Sequence, residues 1–455
     1  MILRTPIAAG LLALVAFAAC SSDDPEPARP VSPADAGAEP LPEPIAPGLY
    51  PLAGSDPDLD ANDLDRLDAI VAGAAIVGIG ESVHTTAAQL HLRIRLLRRL
   101  VERGGLRAIA FESSWRGIAD VTEPYVTTCS GAPEAAAKRL HPVWWDASVP
   151  RFLEWLCRWN QAHPAEVVHV FGFDIRQPWL DAPAHRAYVG PAKAALADGL
   201  SACLGVGFAD EAAFFADPDV LAYYEGTEAV PEEGHAQCQA GVKAALEDLE
   251  TNRAAYVASS SEETWDLARL AVTQVGAFDE TVYLLSRVRS LADLGKANQA
   301  RDPAMTDAFR TIRRHRFPGL KTALWAHNGH VMRDARSVAD SQWTGVQSLG
   351  TSLGEEHGEA YVVIGQASWD TTVRFQPWLD EARLPRPTAR SLEAALESYG
   401  VDALLLTLPA SPSTIPSGEL EVGVDPVALV PAAHFDAFTW LRTSPAIAYF
   451  ADPRE

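Results

Sequence analysis

Ala74-Ala75-Ile76-Val77-Gly78-Ile79-Gly80-Glu81-Ser82-Val83-His84 is the stretch whose reading decides the fold. Its first six residues are a short apolar run and predict a buried strand. After it, Leu90, Ile94, Leu97 and Val101 recur at helical spacing. Glu81 and His84 therefore stand where a strand gives way to a helix, the edge at which open α/β sheets bind ligands.

The pattern recurs three times. Leu106-Arg107-Ala108-Ile109-Ala110-Phe111 is followed at once by Glu112, and Val167-Val168-His169-Val170-Phe171-Gly172-Phe173 ends in Asp174. Thr322-Ala323-Leu324-Trp325-Ala326 ends in His327-Asn328-Gly329-His330. If these four strands are parallel and adjacent, their acids and histidines converge on one cleft. A carboxylate after a strand also serves as the N-cap of a following helix, and Asp174 reads equally well that way. Ser82 and Ser113 stand beside Glu81 and Glu112 and could cap in their place. His84, His327 and His330 form a constellation suited to acid/base work or to a metal. His141, His163, His185, His235, His315, His357 and His434 read as ordinary surface or core residues.

Arg93 lies inside the apolar arc of its predicted helix, whereas Arg95, Arg98 and Arg99 lie away from the arc's centre. An inward arginine costs free energy unless carboxylates meet it, and Glu81 and Glu112 are the expected partners. Snorkelling of its head outward is the other reading.

The N-terminal 20 residues read as a lipoprotein signal peptide, with Arg4 before a short apolar core and Phe17-Ala18-Ala19-Cys20 similar to a bacterial lipobox. Acylated Cys20 would anchor the chain to a membrane, and Ser21 in place of Asp favours the outer membrane. Residues 21–47, rich in Pro, Ala, Asp and Glu, read as a disordered tether. A formal charge of −23 with no basic stripe argues against nucleic acid. No Walker-type loop or dinucleotide fingerprint is present, and no cofactor is called for. Cys129, Cys157, Cys203 and Cys238 permit two disulfides in an exported protein. Sequence order favours Cys129 with Cys157 and Cys203 with Cys238, though three pairings are possible and free buried thiols remain open.

Residues 48–455 read as one α/β domain: a mainly parallel sheet with helices on both faces. An all-helical insertion over about 191–300 walls the cleft. Trp144, Trp145, Trp155 and Trp159 fall in one predicted helical segment, as packed core or pocket lining. Asp302-Pro303 predicts a helix start, with Asp as N-cap and Pro at the first helical position. Tyr361-Val362-Val363-Ile364-Gly365 and Ala403-Leu404-Leu405-Leu406-Thr407 predict further strands.

Together these segments resemble the erythromycin esterase family, in order, over roughly residues 65–445. Gly80 to His84 is similar to its Gly-Glu-x-x-His segment, with Arg93 at the matching distance. Ala110-Phe111-Glu112, Phe171-Gly172-Phe173-Asp174, Arg301-Asp302-Pro303-Ala304-Met305, Trp325 to Val331 and Phe435-Asp436-Ala437 match its later motifs. The family commonly has Gly-Thr after the first histidine, where this chain has Thr85-Thr86. The resemblance implies hydrolysis of an ester or macrolactone without a serine nucleophile, His84 being the base that activates water. The residue chemistry allows this by itself: Glu81 or Glu112 can orient the imidazole, and His327 or His330 can polarise the carbonyl or protonate the leaving group. Arg93 can hold the carboxylates ionised or meet the oxyanion. Asp174 and Arg301 are expected to bind substrate. No Gly-x-Ser-x-Gly elbow competes. Two rival readings stay open: a Zn or Mn hydrolase built on Glu81, His84, His327 and His330, and a non-catalytic surface lipoprotein binding haem or a metal.

Overall fold

The computed structural model describes residues 43–408, 420–422 and 427–452. The expected signal peptide, Cys20 and the expected tether up to residue 42 lie outside the described residues. The strands are β1 Leu49–Pro51, β2 Ile76–Ile79, β3 Ala108–Ser114, β4 His169–Asp174, β5 Thr322–Trp325, β6 Tyr361–Val373, β7 Ala382–Arg383, β8 Ala403–Thr407, β9 Leu420–Val422, β10 Val427–Leu429 and β11 Ala437–Ser444. One sheet runs in the order β1-β8-β11-β6-β2-β5-β3-β4, with β7 beside β6, and β9 pairs with β10 apart from it. From β11 to β4 every neighbour is parallel, while β8 runs antiparallel to both β11 and β1.

The strands read as unbroken apolar runs because both faces of the sheet are covered. Val77, Ile79, Ile109 and Phe111 point into one core, shared with Leu90 and Leu97 of helix α1 (Ala87–Glu102) and with Phe152 and Leu156 of helix α2 (Ser148–Ala162). Ile76, Ala108, Ala110 and Leu324 point into the other, against Met305, Phe309 and Ile312 of helix α3 (Leu291–Arg316). Between β4 and β5 the described chain contains helices and no strand, the longest being Glu232–Thr251, Glu262–Leu285 and α3. Cys129 is bonded to Cys157, and Cys203 to Cys238.

Three local expectations change. The helix around Asp302-Pro303 begins eleven residues before Asp302, at Leu291, where Ser290 caps it by accepting the Asp293 N–H, so Pro303 lies inside the helix. The strong local signal loses to packing, and Asp302 is released for other partners. Arg95 is buried beside Arg93, because the segment from Gly54 to Asp63 folds over α1 and takes its guanidinium on the Gly54 and Asp60 carbonyls and on Asp63. Arg99 is buried against Asp65 and Asp68 in the same way. Trp144 and Trp145 precede α2 in a separate turn, and Trp144 is core.

Candidate active site

The strand order places β2, β5, β3 and β4 side by side and parallel. Their carboxyl ends therefore bring Glu81, His84, Glu112, Asp174, His327 and His330 to one edge. The chain leaves β2 for β3 and β4, returns to β5 beside β2, then crosses to β6, so the loops after β2 and β5 part around a crevice. Those two loops are tied together where the Asn328 N–H donates to the Glu81 carbonyl at 2.7 Å. Gly80 permits the approach, since a Cβ there would lie 2.0 Å from Asn328 Oδ1. Glu112 is aimed by a bulge: Phe111 pairs with Gly172 and Ser114 with Asp174, one residue more on β3 than on β4.

His84 is a partly open member of the cluster, its side chain 29% exposed. Its Nδ1 lies 2.5 Å from Glu81 Oε1, so the proton of the neutral ring sits there and Nε2 carries the lone pair. Nε2 is 4.0 Å from Glu112 Oε1, too far for a direct hydrogen bond. The ring packs edge-on against Trp144, with centroids 5.1 Å apart. Arg93 is fully buried behind Glu81, with Nη2 3.1 Å from Oε2, misaligned for a hydrogen bond yet close enough for an ion pair. It also donates to the Gly80 carbonyl at 2.8 Å and lies over the rings of Trp144 and Trp325. Burial lowers its pKa, and Glu81 and Glu112 counter that. Arg93 supports Glu81 from within the core.

A second cluster centres on Arg301. Its Nε and Nη2 grip Asp174 at 2.9 and 2.7 Å, and Nη2 also reaches Glu112 Oε1 at 2.7 Å. The two residues expected to hold substrate thus hold each other. Burial alone would raise the Glu112 carboxyl, but His330, Arg301, His84 and the His327 N–H hold it well below the ordinary range. Asp174 is depressed against burial by Arg301 and Arg176. Those two carboxylates in turn hold Arg301 charged despite its burial.

His330 is buried, with Nδ1 3.0 Å from Asp302 Oδ1 and Nε2 3.2 Å from Arg301 Nη1 and 3.4 Å from Glu112. Burial opposes its protonation, but Asp302 and Glu112 outweigh burial and raise its pKa. The Arg301 contact is a hydrogen bond only while the ring is neutral; charged, Nε2 turns to Glu112. Asp302 was legible in the sequence only as a helix cap. His327 has both ring nitrogens engaged with backbone: Nδ1 accepts from the Gly329 N–H at 3.1 Å, and Nε2 donates to the Ser82 carbonyl at 3.0 Å. Burial, with His84 and His330 nearby, lowers its pKa to about 3. It is a neutral brace between the two loops. Among the described residues, no three His, Cys, Asp or Glu side chains converge as a metal ion requires.

Thr85 has φ +63°, the left-handed region that disfavours a β-branched residue. That explains why a glycine suits the position. His141, read from the sequence as ordinary, also comes to this edge. The charged groups acting on its ring are Arg176, Asp174, His84 and Glu112. No strand precedes it, so the sequence carried no signal for its place.

Fold and site together define a mainly parallel α/β protein whose polar centre of acids, histidines and arginines lies at the carboxyl edge of the sheet. The chain belongs to the erythromycin esterase family, whose profile it matches over residues 101–444. Membership supports hydrolase activity. Three solved structures share the fold. A point mutant of the erythromycin esterase EreC in its open conformation matches with TM-score 0.68 and 20% identity, over 88% of this chain and 99% of that one. A Bacillus cereus protein matches with TM-score 0.65 and 20% identity, over 89% and 97%. A succinoglycan biosynthesis protein matches with TM-score 0.63 and 15% identity, over 88% and 96%.

Proposed function

We propose that this protein hydrolyses an ester or lactone bond by water activated at His84, without a serine nucleophile. The observation that carries the reading is the Glu81–His84 pair. Glu81 Oε1 lies 2.5 Å from Nδ1 and holds its proton, leaving Nε2, with its lone pair, 4.0 Å from Glu112 Oε1. A separation of 4.0 Å is one that a single bridging water spans. As water attacks, His84 takes its proton and Glu81, paired from behind with Arg93, stabilises the imidazolium. Arg301 fixes Glu112 and Asp174, and His330 bears on the reaction through Glu112. The family's name, and that of the similar EreC, make macrolactones the first substrates to test.

The proposal includes location. The lipobox at Cys20 supports a lipid-anchored envelope protein, with outer-membrane sorting supported by Ser21. Hydrolysis should be screened over simple esters, lactones and macrolides in ¹⁸O-labelled water, with and without a chelator. One ¹⁸O is expected in the product acid from the first turnover, with no acyl-enzyme trapped on early quenching and no effect of the chelator. Absence of hydrolysis across the panel, or a label that enters only after the first turnover, would overturn the proposal.

A further inference from the structure

His141 opens a short turn, Pro142–Trp144, and serves it in two ways. Its backbone N–H donates to Ser113 Oγ at 2.8 Å, fastening the turn beside Glu112. Its Nδ1 accepts the Val143 N–H at 3.2 Å. Trp144, at the end of the same turn, lies against the His84 ring. Because Nδ1 accepts, the proton of a neutral His141 ring is on Nε2. That Nε2–H is closed from solvent and meets no partner among the described residues. A buried donor without a partner carries an uncompensated cost, and His84 and Glu112 are among the charged groups near enough to act on this ring.

Neither of the other cleft histidines is placed for this role. His327 has both nitrogens on backbone atoms, and His330 is enclosed by Arg301, Asp302 and Glu112. Arg93 is sealed in the core. Arg301 and Arg176 are each held by Asp174, so His141 offers a neutral donor with no competing partner among the described residues.

We propose that His141 is a catalytic residue whose Nε2–H donates a hydrogen bond to the carbonyl oxygen of the bound ester. The inference rests on the hydrolase reading above and deepens it. Water loses a proton to His84 Nε2 as its oxygen bonds to the carbonyl carbon, and the carbonyl π pair moves onto the oxygen facing His141. No proton passes to that oxygen. When the pair returns, the ester C–O bond breaks and the leaving alkoxide takes the proton from His84. The sum is ester plus water giving acid plus alcohol. Burial, then Arg176, keep the His141 imidazole well below its ordinary pKa, so it remains a neutral donor and does not compete with His84 for the proton. Prepositioned donors of this kind act most strongly in a water-excluded site.

Two substitutions separate the donor from the cap. His141→Asn retains an oxygen near the Nδ1 position for the Val143 N–H but has nothing at Nε2. His141→Gln places an amide N–H near Nε2 and loses the cap. With 4-nitrophenyl acetate and erythromycin as probes, His141→Asn should lose about 100- to 1,000-fold in kcat at similar KM while keeping its Tm. His141→Gln should retain kcat within about tenfold and melt lower. The opposite ranking, activity following Tm, would reduce His141 to a cap and overturn the proposal. If His141→Asn equals wild type while His84→Asn is inactive, the hydrolase reading stands and His141 has no catalytic part. If all three variants equal wild type, both fall. A binding arm needs no turnover. Phenyl methylphosphonate, a charged mimic of the tetrahedral intermediate, should shift the His141 Nε2–H proton resonance downfield and bind His141→Asn at least about tenfold more weakly than wild type. Equal affinity and an unmoved resonance would again overturn it.

Discussion

Replacing Arg301 by methionine removes the cation from two buried carboxylates at once. Asp174 is fully buried and Glu112 3% exposed, and both hydrogen-bond to Arg301. Breaking a buried pair by deleting one partner costs about 3–5 kcal/mol. Here Asp174 keeps Arg176, and Glu112 keeps His330 and the His327 N–H, so the lower half, about 3–4 kcal/mol, is expected. With an unfolding entropy of about 2.1 cal/mol/K per residue over a domain of roughly 400 residues, that loss lowers Tm by about 4–5 °C. The pH dependence has a definite sign. Both carboxyls are depressed in the folded state, so their stabilisation is present above the unfolded carboxylate range and is lost as pH falls through the folded values. The gap between wild type and Arg301→Met should therefore be widest near pH 7 and narrow below about pH 4. Arg301→Lys, which keeps the charge but not the two-pronged grip, should fall between them. Calorimetric melts from pH 3 to 7 measure all three. A gap under about 1 °C at pH 7, or one that widens on acidification, would refute the reasoning.

Thr85→Gly removes a left-handed β-branched residue whose buried Oγ1 has no partner; it should stabilise by about 1 kcal/mol, and a lower Tm would show that Thr85 is unstrained. The Cys203–Cys238 bond closes a separation of 35 residues, so Cys203→Ala with Cys238→Ala should cost about 3–4 kcal/mol; an unchanged melt under oxidising conditions would contradict that. Cys20→Ser should release the protein from the membrane fraction and abolish lipid labelling, and unchanged attachment would end the lipoprotein proposal.

The strands that build the site were legible because each is buried on both faces, as at Ile76–Ile79 and Thr322–Trp325, where an apolar run carries its own signal. Arg93 was legible for a related reason, its position inside a helical stripe. What escaped depends on segments distant in sequence. Arg95 and Arg99 are buried because residues 54–68 fold across their helix, which no helical wheel contains. Asp302 and Pro303 carry a good helix-start signal, yet Asp302 lies inside an unbroken helix, its carboxylate accepting from the Leu349 N–H and His330 Nδ1. Asp174 was visible as a carboxylate at a strand end and Arg301 only through the family motif, and the fold pairs them. His141 lies in a loop that reaches the cleft through Ser113, a contact across 28 residues of chain.

The central claim is that His84 activates the attacking water. Steady-state hydrolysis by His84→Asn, on whichever ester or lactone the wild type turns over fastest, tests it most directly. The substitution leaves the hydrogen bond to Glu81 available but removes the Nε2 lone pair, so kcat should fall about 100- to 10,000-fold with substrate binding and Tm nearly unchanged. A correctly folded His84→Asn protein that keeps near wild-type turnover would contradict the account.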